Sequence, residues 1–360
     1  MGSGLLKKRY QLAKRSDGAC IFLTRENRCH VHELHGSAAK PAICQIAPLQ
    51  LVPAGDCAYL TVRRYCRCSA CDEGRPLAEH VEALRELVER YNAAPKTAGP
   101  PALVRRQRRA WRETLAVTDA ITRLVLDGRY PLVRRLAHGL EFCDLLEHCR
   151  LERLDGPRLV ELAGMLEEAA PKEAGDLFQL RAAPGPRTMK LFRQTAMEWL
   201  RLHPKFVPEQ SWAERWRMVK AAIAFARGKG QVPLFRLPFA PSTFESLERP
   251  LGHLDEAVLR PLDGFFQALV ASLRYAALNR PGWSVVESFR AVALSYAVGM
   301  WVLRLACGER TPGVEDGVEA AMLLDRGQGY APLLGHRHRW RVGMMARGRE
   351  LARLAAWYAR

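Results

Sequence analysis

Thiolate and imidazole side chains are soft donors for Zn²⁺ and iron–sulfur clusters, and a closed site needs them from several stretches of chain. The sequence offers such a set near its start. Cys20, Cys29 and Cys44 are followed by Cys66, Cys68 and Cys71 in a C-x-C-x-x-C run, and His30 and His32 stand just behind Cys29. Seven of the ten cysteines lie between Cys20 and Cys71, a local enrichment that composition alone does not produce. The first residues, MGSGLLKKRYQLAKR, are basic but lead into no apolar segment of the secretory kind. The expected location is therefore cytoplasmic, where thiols stay reduced and clustered cysteines ligate metal rather than pair as disulfides. Arg67, inside the tight cysteine run, favours the thiolate state. Cys57 precedes that run on a β-prone stretch and is held as a reserve ligand, against its reading as a small buried hydrophobe.

Four motifs carry a family resemblance: GACIFL around Cys20, NRCHVH around Cys29, KPAIC ending at Cys44 with Pro48 beyond it, and the later cysteines followed by Gly74, Pro76 and Leu77. Over residues 10–88 the chain resembles the YkgJ family of bacterial cysteine-cluster proteins, described as zinc- or iron-chelating domains. The resemblance implies Cys20, Cys29, Cys44 and one of Cys66, Cys68 and Cys71 as metal ligands, with His32 at the family's C-x-I-H histidine. It departs from the family in two places. No C-x-x-x-C-C cluster precedes Cys20, and Ala47 stands where the family has an aromatic residue before the proline. Zinc and an iron–sulfur cluster both accept four such ligands, so the cofactor is expected to be one or the other.

The leading expectation is thus a metal-binding cysteine-cluster protein whose helical domain recognises a protein partner or substrate. The same resemblance extends to flagellin lysine N-methylases and implies, as an alternative, a protein lysine N-methyltransferase-like enzyme. The chain contains no P-loop, H-E-x-x-H, G-x-S-x-G or dinucleotide G-x-G-x-x-G motif. A net charge of +17 raises a third class, a basic nucleic-acid-binding protein with a zinc-stabilised module. Because arginine dominates a chain rich in Ala and Leu, a solvated basic face is the favoured account of that charge. The apolar run AVALSYAVGMWVL at 291–303 is shorter than the ~20 residues a bilayer requires, so it is read as a buried helix and no membrane span is expected.

Periodicity places these groups on a mainly α chain: a small cysteine-rich α+β metal-binding module at 1–92, a Pro/Gly linker at 93–101 and a large helical domain at 102–360. Within the module, 19–24 and 59–63 are β-prone, and Leu77, Val81, Leu84, Val88 and Tyr91 fall at helical spacing. Helices are expected at 102–126, 131–151, 156–169, 187–202, 211–227, 254–278, 285–307, 314–324 and 337–358. The segment 228–250, rich in Pro and Phe, interrupts them as either a lid or an apolar seal.

Further candidates have ordinary readings beside their functional ones. Arg105, Arg106, Arg108, Arg109 and Arg112 with Trp111 form a basic stretch suited to phosphates, while Leu103, Trp111 and Leu115 also fit a core stripe. His336 and His338 diverge if helical. Trp212, Trp216 and Phe225 are read as packing. Cys143, Cys149 and Cys307 are read as core residues.

Overall fold

A computed structural model describes residues 13, 15, 19–26, 28–90, 99–175, 183–203, 211–235, 237–277, 282–328 and 335–360. The chain is mainly α, with two small two-stranded antiparallel sheets among the described residues. It divides into two compact units, Met1–Ala47 with Glu82–Ala94, and Pro48–Val81 with Pro95–Arg360. The expected linker falls largely at 93–98, outside the described residues.

The first helices among the described residues are short, α1 (His30–His35) and α2 (Ala42–Ile46). An antiparallel hairpin follows, β1 (Leu49–Ala54) and β2 (Cys57–Val62), in the register Leu49↔Val62 to Ala54↔Cys57. Gly55 sits in its two-residue turn at φ +67°, a conformation that side chains with a Cβ resist. Its bare face is also needed, because a Cβ there would lie 3.3 Å from the Trp111 ring. Next come α3 (Arg67–Ala70) and α4 (Val81–Arg90), the latter preceded by a 3-10 turn at Leu77–His80.

A second hairpin, β3 (Ala102–Val104) and β4 (Gln107–Arg108), occupies the start of the expected helix 102–126. Leu103 and Val104 are buried as strand residues, and Arg106 takes φ +67° in the turn. Helix α5 therefore begins only at Trp111 and runs to Leu126. Then follow α6 (Leu132–His148), α7 (Gly156–Glu173), α8 (Pro186–Leu200), α9 (Trp212–Arg227), α10 (Phe244–Leu247), α11 (Glu256–Ala271), α12 (Arg274–Ala277), α13 (Val285–Cys307), α14 (Val314–Gly327), α15 (His336–Met345) and α16 (Glu350–Tyr358). Two expected helices are broken. The run 254–278 is interrupted at Leu273, with φ +56°, and 337–358 at Gly348 and Arg349, with φ +62° and +60°.

Helix α13 is the axis of the second unit. Ser284 and Glu287 form a capping box, each side chain accepting from the other's backbone N–H, at 3.1 and 3.0 Å. Every residue of α13 except Glu287 and Ala306 is buried, against α6, α8, α12, α14, α15 and α16. The apolar run at 291–303 belongs to a helix of 23 residues, long and apolar enough to cross a bilayer, yet 94% of its most apolar window is inside the protein. Close approach of α14 to α11 depends on Gly317, where a Cβ would meet the Val258 carbonyl oxygen at 2.0 Å. Segment 228–250 contributes Val232, Leu237, Phe244 and Leu247 to the same core, so its described part fills space between helices.

Candidate functional site

In the first unit the chain turns back at an isolated bridge between Leu23 and Cys29, closed by His30 N–H donating to Phe22 O at 2.8 Å. Cys29 is the N-cap of α1, and its carbonyl accepts from Glu33 N–H at 3.0 Å. His32 stands three residues on, one helical turn away and on the same side, with its ring exposed. Cys44 lies in the middle of α2, which Gln45 fastens by donating to the Ala38 and Lys40 carbonyls at 3.1 and 2.5 Å. Cys20, Cys29 and Cys44 are all partly buried and carry no disulfide. Partial burial raises the Cys44 thiol above its ordinary value, and the nearby Cys20 and Cys29 thiols raise it further, against an opposing pull from Lys40. These three cysteines therefore share one electrostatic neighbourhood. Among the described residues, no three His, Cys, Asp or Glu side chains converge closely enough to hold a metal ion as they stand. The donors have the right chemistry for zinc or an iron–sulfur centre, but the shell is not closed.

This unit has scarcely any core. Of its described residues only Leu84 is buried, while Ile21, Phe22, Leu34 and Ile43 are exposed.

The second set of thiols belongs to the other unit. Cys66 caps α3 and its sulfur sits 3.0 Å from Ser69 Oγ. Cys68 is exposed, and the Cys71 thiol is raised by burial and then by Glu73, with Arg67 opposing. The run packs on α11 and α14 through arginines. Buried Arg64 donates to Ser69 O at 3.0 Å and Asp72 Oδ1 at 2.6 Å, Arg67 pairs with Glu315, and Arg326 donates to Tyr65 O at 3.3 Å. Arg63, just past β2, reaches the fully buried Asp325 at 2.7 Å, and Arg274 pairs with the same carboxylate. Cys57 is exposed beside the first hairpin's turn, its thiol donating to Ala54 O at 3.2 Å.

Elsewhere, Cys143 and Cys307 are buried and Cys149 packs at the core's margin, each thiol raised by burial. His336 is exposed, whereas His338 is buried and stacked on Trp283 at 6.1 Å, so the two do not converge. Trp111 is engaged by the Gly55 turn, and Arg109 donates to Leu151 O, leaving Arg105, Arg106, Arg108 and Arg112 as the exposed part of that basic stretch. The packing reading holds for Phe225, which is buried, and fails for Trp212 and Trp216, which are 76% and 62% exposed. Helix α9 has two apolar stripes, and sequence spacing does not say which one faces inward.

Fold and site together define a mainly α protein with a thiol-rich N-terminal unit that has little core of its own. No protein-family model, curated protein or solved structure matches the chain.

Proposed function

We propose that the first unit is a metal-binding thiolate centre, with Cys20, Cys29 and Cys44 as ligands and His32 as the nearest imidazole. The observation that carries this reading is the combination of a unit with one buried residue among those described and three reduced thiols in one electrostatic neighbourhood. So little apolar burial among the described residues leaves the unit short of stability, and a structural metal is one of the few devices that supply it. Crowded thiolates repel one another until a cation neutralises them. A Cys₃His donor set suits tetrahedral zinc; an iron–sulfur centre is the alternative that the family resemblance implies.

Elemental analysis with an absorption spectrum on protein purified without oxygen tests this directly. One zinc per colourless chain, or iron with matching sulfide in a brown one, is the expected outcome. Serine at Cys20, Cys29 or Cys44 should abolish the metal, and Cys143→Ser serves as the control outside the unit. Metal-free protein whose Cys20, Cys29 and Cys44 thiols alkylate at the rate of free cysteine would refute the proposal.

A further inference from the structure

Helix α9 presents an apolar line to solvent. Trp212, Trp216, Val219 and Ile223 are 76%, 62%, 47% and 45% exposed, and their spacing of four, three and four residues sets them along one face. At about 1.5 Å per residue that face is roughly 16 Å long. The opposite face carries Ala221 and Phe225 into the core, so α9 is anchored and cannot roll over to hide the line. Single exposed apolar residues are ordinary; a continuous stripe with two tryptophans marks a surface that meets something.

Charge identifies what it meets. Arg215 flanks the stripe on one side, its guanidinium 5.3 Å from the Trp212 ring centre, and Lys220 and Arg227 flank it on the other, all exposed. The only acidic residue of α9, Glu214, lies on the inward-tilted side. Beside Val219 the stripe runs into an open groove of about 260 Å³ between α8, α9 and α15, lined by Met197 and Met218 and by the cations Arg201, Arg337 and Arg341. Glu198 also lines the groove, 4.0 Å from Arg341. A second copy of the chain docked through the same face would set these cations against their own kind. A phosphate-bearing surface with an apolar layer beneath satisfies both features at once. Tryptophan favours that boundary, since its ring is apolar and its N–H polar, and basic residues beside an apolar helix face favour anionic headgroups.

We propose that the α9 face, with the adjoining groove, docks the protein peripherally on an anionic phospholipid surface, without any segment spanning it. Trp212 and Trp216 enter the headgroup–acyl boundary, and Arg215, Lys220, Arg227 and Arg337 meet the lipid phosphates. This docking is independent of the metal centre.

Co-sedimentation of the full chain with vesicles provides the test, comparing phosphatidylcholine alone with phosphatidylcholine containing phosphatidylserine. The expected result is binding to the anionic vesicles that weakens with salt and is far poorer on neutral ones. Trp212→Ser with Trp216→Ser, and separately Arg215→Glu with Lys220→Glu, should each lower the partition coefficient by about tenfold or more. These side chains are exposed, so both variants should keep the wild-type circular dichroism spectrum and melting temperature. Absence of binding at low salt overturns the proposal, as does binding that both double variants retain. If vesicles are ignored while a soluble acidic amphipathic peptide binds and the Trp variant loses it, the face belongs to a protein partner instead.

Discussion

Replacing Asp325 by Asn removes one charge from an enclosed ion cluster of the second unit. The Asp325 side chain is 0% exposed and bonds Arg274, itself 5% exposed, and Arg63, 21% exposed. Burial already weakens the hold of Arg274 on its proton, and Asp325 is the first influence opposing that. Without the carboxylate, one buried and one half-buried guanidinium face each other uncompensated. Breaking a buried pair in this way costs about 3–5 kcal/mol, because the surviving charge is left in the interior. For a unit of this size each kcal/mol moves the melting temperature by about 2 °C, so a fall of roughly 6–10 °C is expected. The assay is thermal unfolding followed by far-UV circular dichroism. Arg217→Gln, which breaks the Arg217–Glu214 pair on the surface of the same unit, is the comparison and should shift melting by less than about 1 °C. Joining Asp325→Leu to Arg274→Met removes the two most buried charges, leaves only the partly exposed Arg63, and should restore part of the loss. A shift below about 2 °C for Asp325→Asn, or one no larger than that of Arg217→Gln, would refute the account.

Other outcomes follow from the packing. Burial lowers the His138 and His338 rings to about 4, so both are neutral in the folded protein at pH 7. The unfolded chain takes up those protons first as pH falls, so stability is lost from about pH 6.5 down towards pH 4, by on the order of 2–3 kcal/mol per ring. His338→Phe should flatten that part of a melting-temperature profile against pH, and an unchanged slope would contradict the assignment. Gly317→Ala drives a Cβ into the Val258 carbonyl and should destabilise by about 1–3 kcal/mol despite alanine's better helix propensity, as read by urea denaturation. The metal-content series at Cys20, Cys29 and Cys44 and the vesicle series at α9 complete the set.

The helical architecture was legible wherever one apolar stripe had to face inward, as in α5 and α6, and in α13, where a long apolar run is buried on every side. It was less so where local backbone decided. Leu103 and Val104 fit a helix stripe as well as a strand, and only the turn at Arg105 and Arg106 makes them a hairpin. Leu273 and Gly348 break helices at points where the hydrophobic spacing continues through. The cysteine enrichment was evident, but its partition between two units was not, because sequence distance does not reveal that 48–81 packs with helices more than two hundred residues away. The outward stripe of α9 went unread for a similar reason. Its four, three and four residue spacing is that of a core stripe, and basic residues flank inward and outward stripes alike.

The Arg63–Asp325 pair has a consequence for synthesis. Its partners are 262 residues apart, and α12, which supplies Arg274, also emerges long after the hairpin. At about 5–20 residues per second the ribosome needs roughly 13–50 s to deliver Asp325 after Arg63. During that interval the first hairpin, two arginines destined for the interior and the reduced thiols of Cys66, Cys68 and Cys71 are displayed with their permanent neighbours still unmade. The nascent chain is then most open to oxidation and to chaperones.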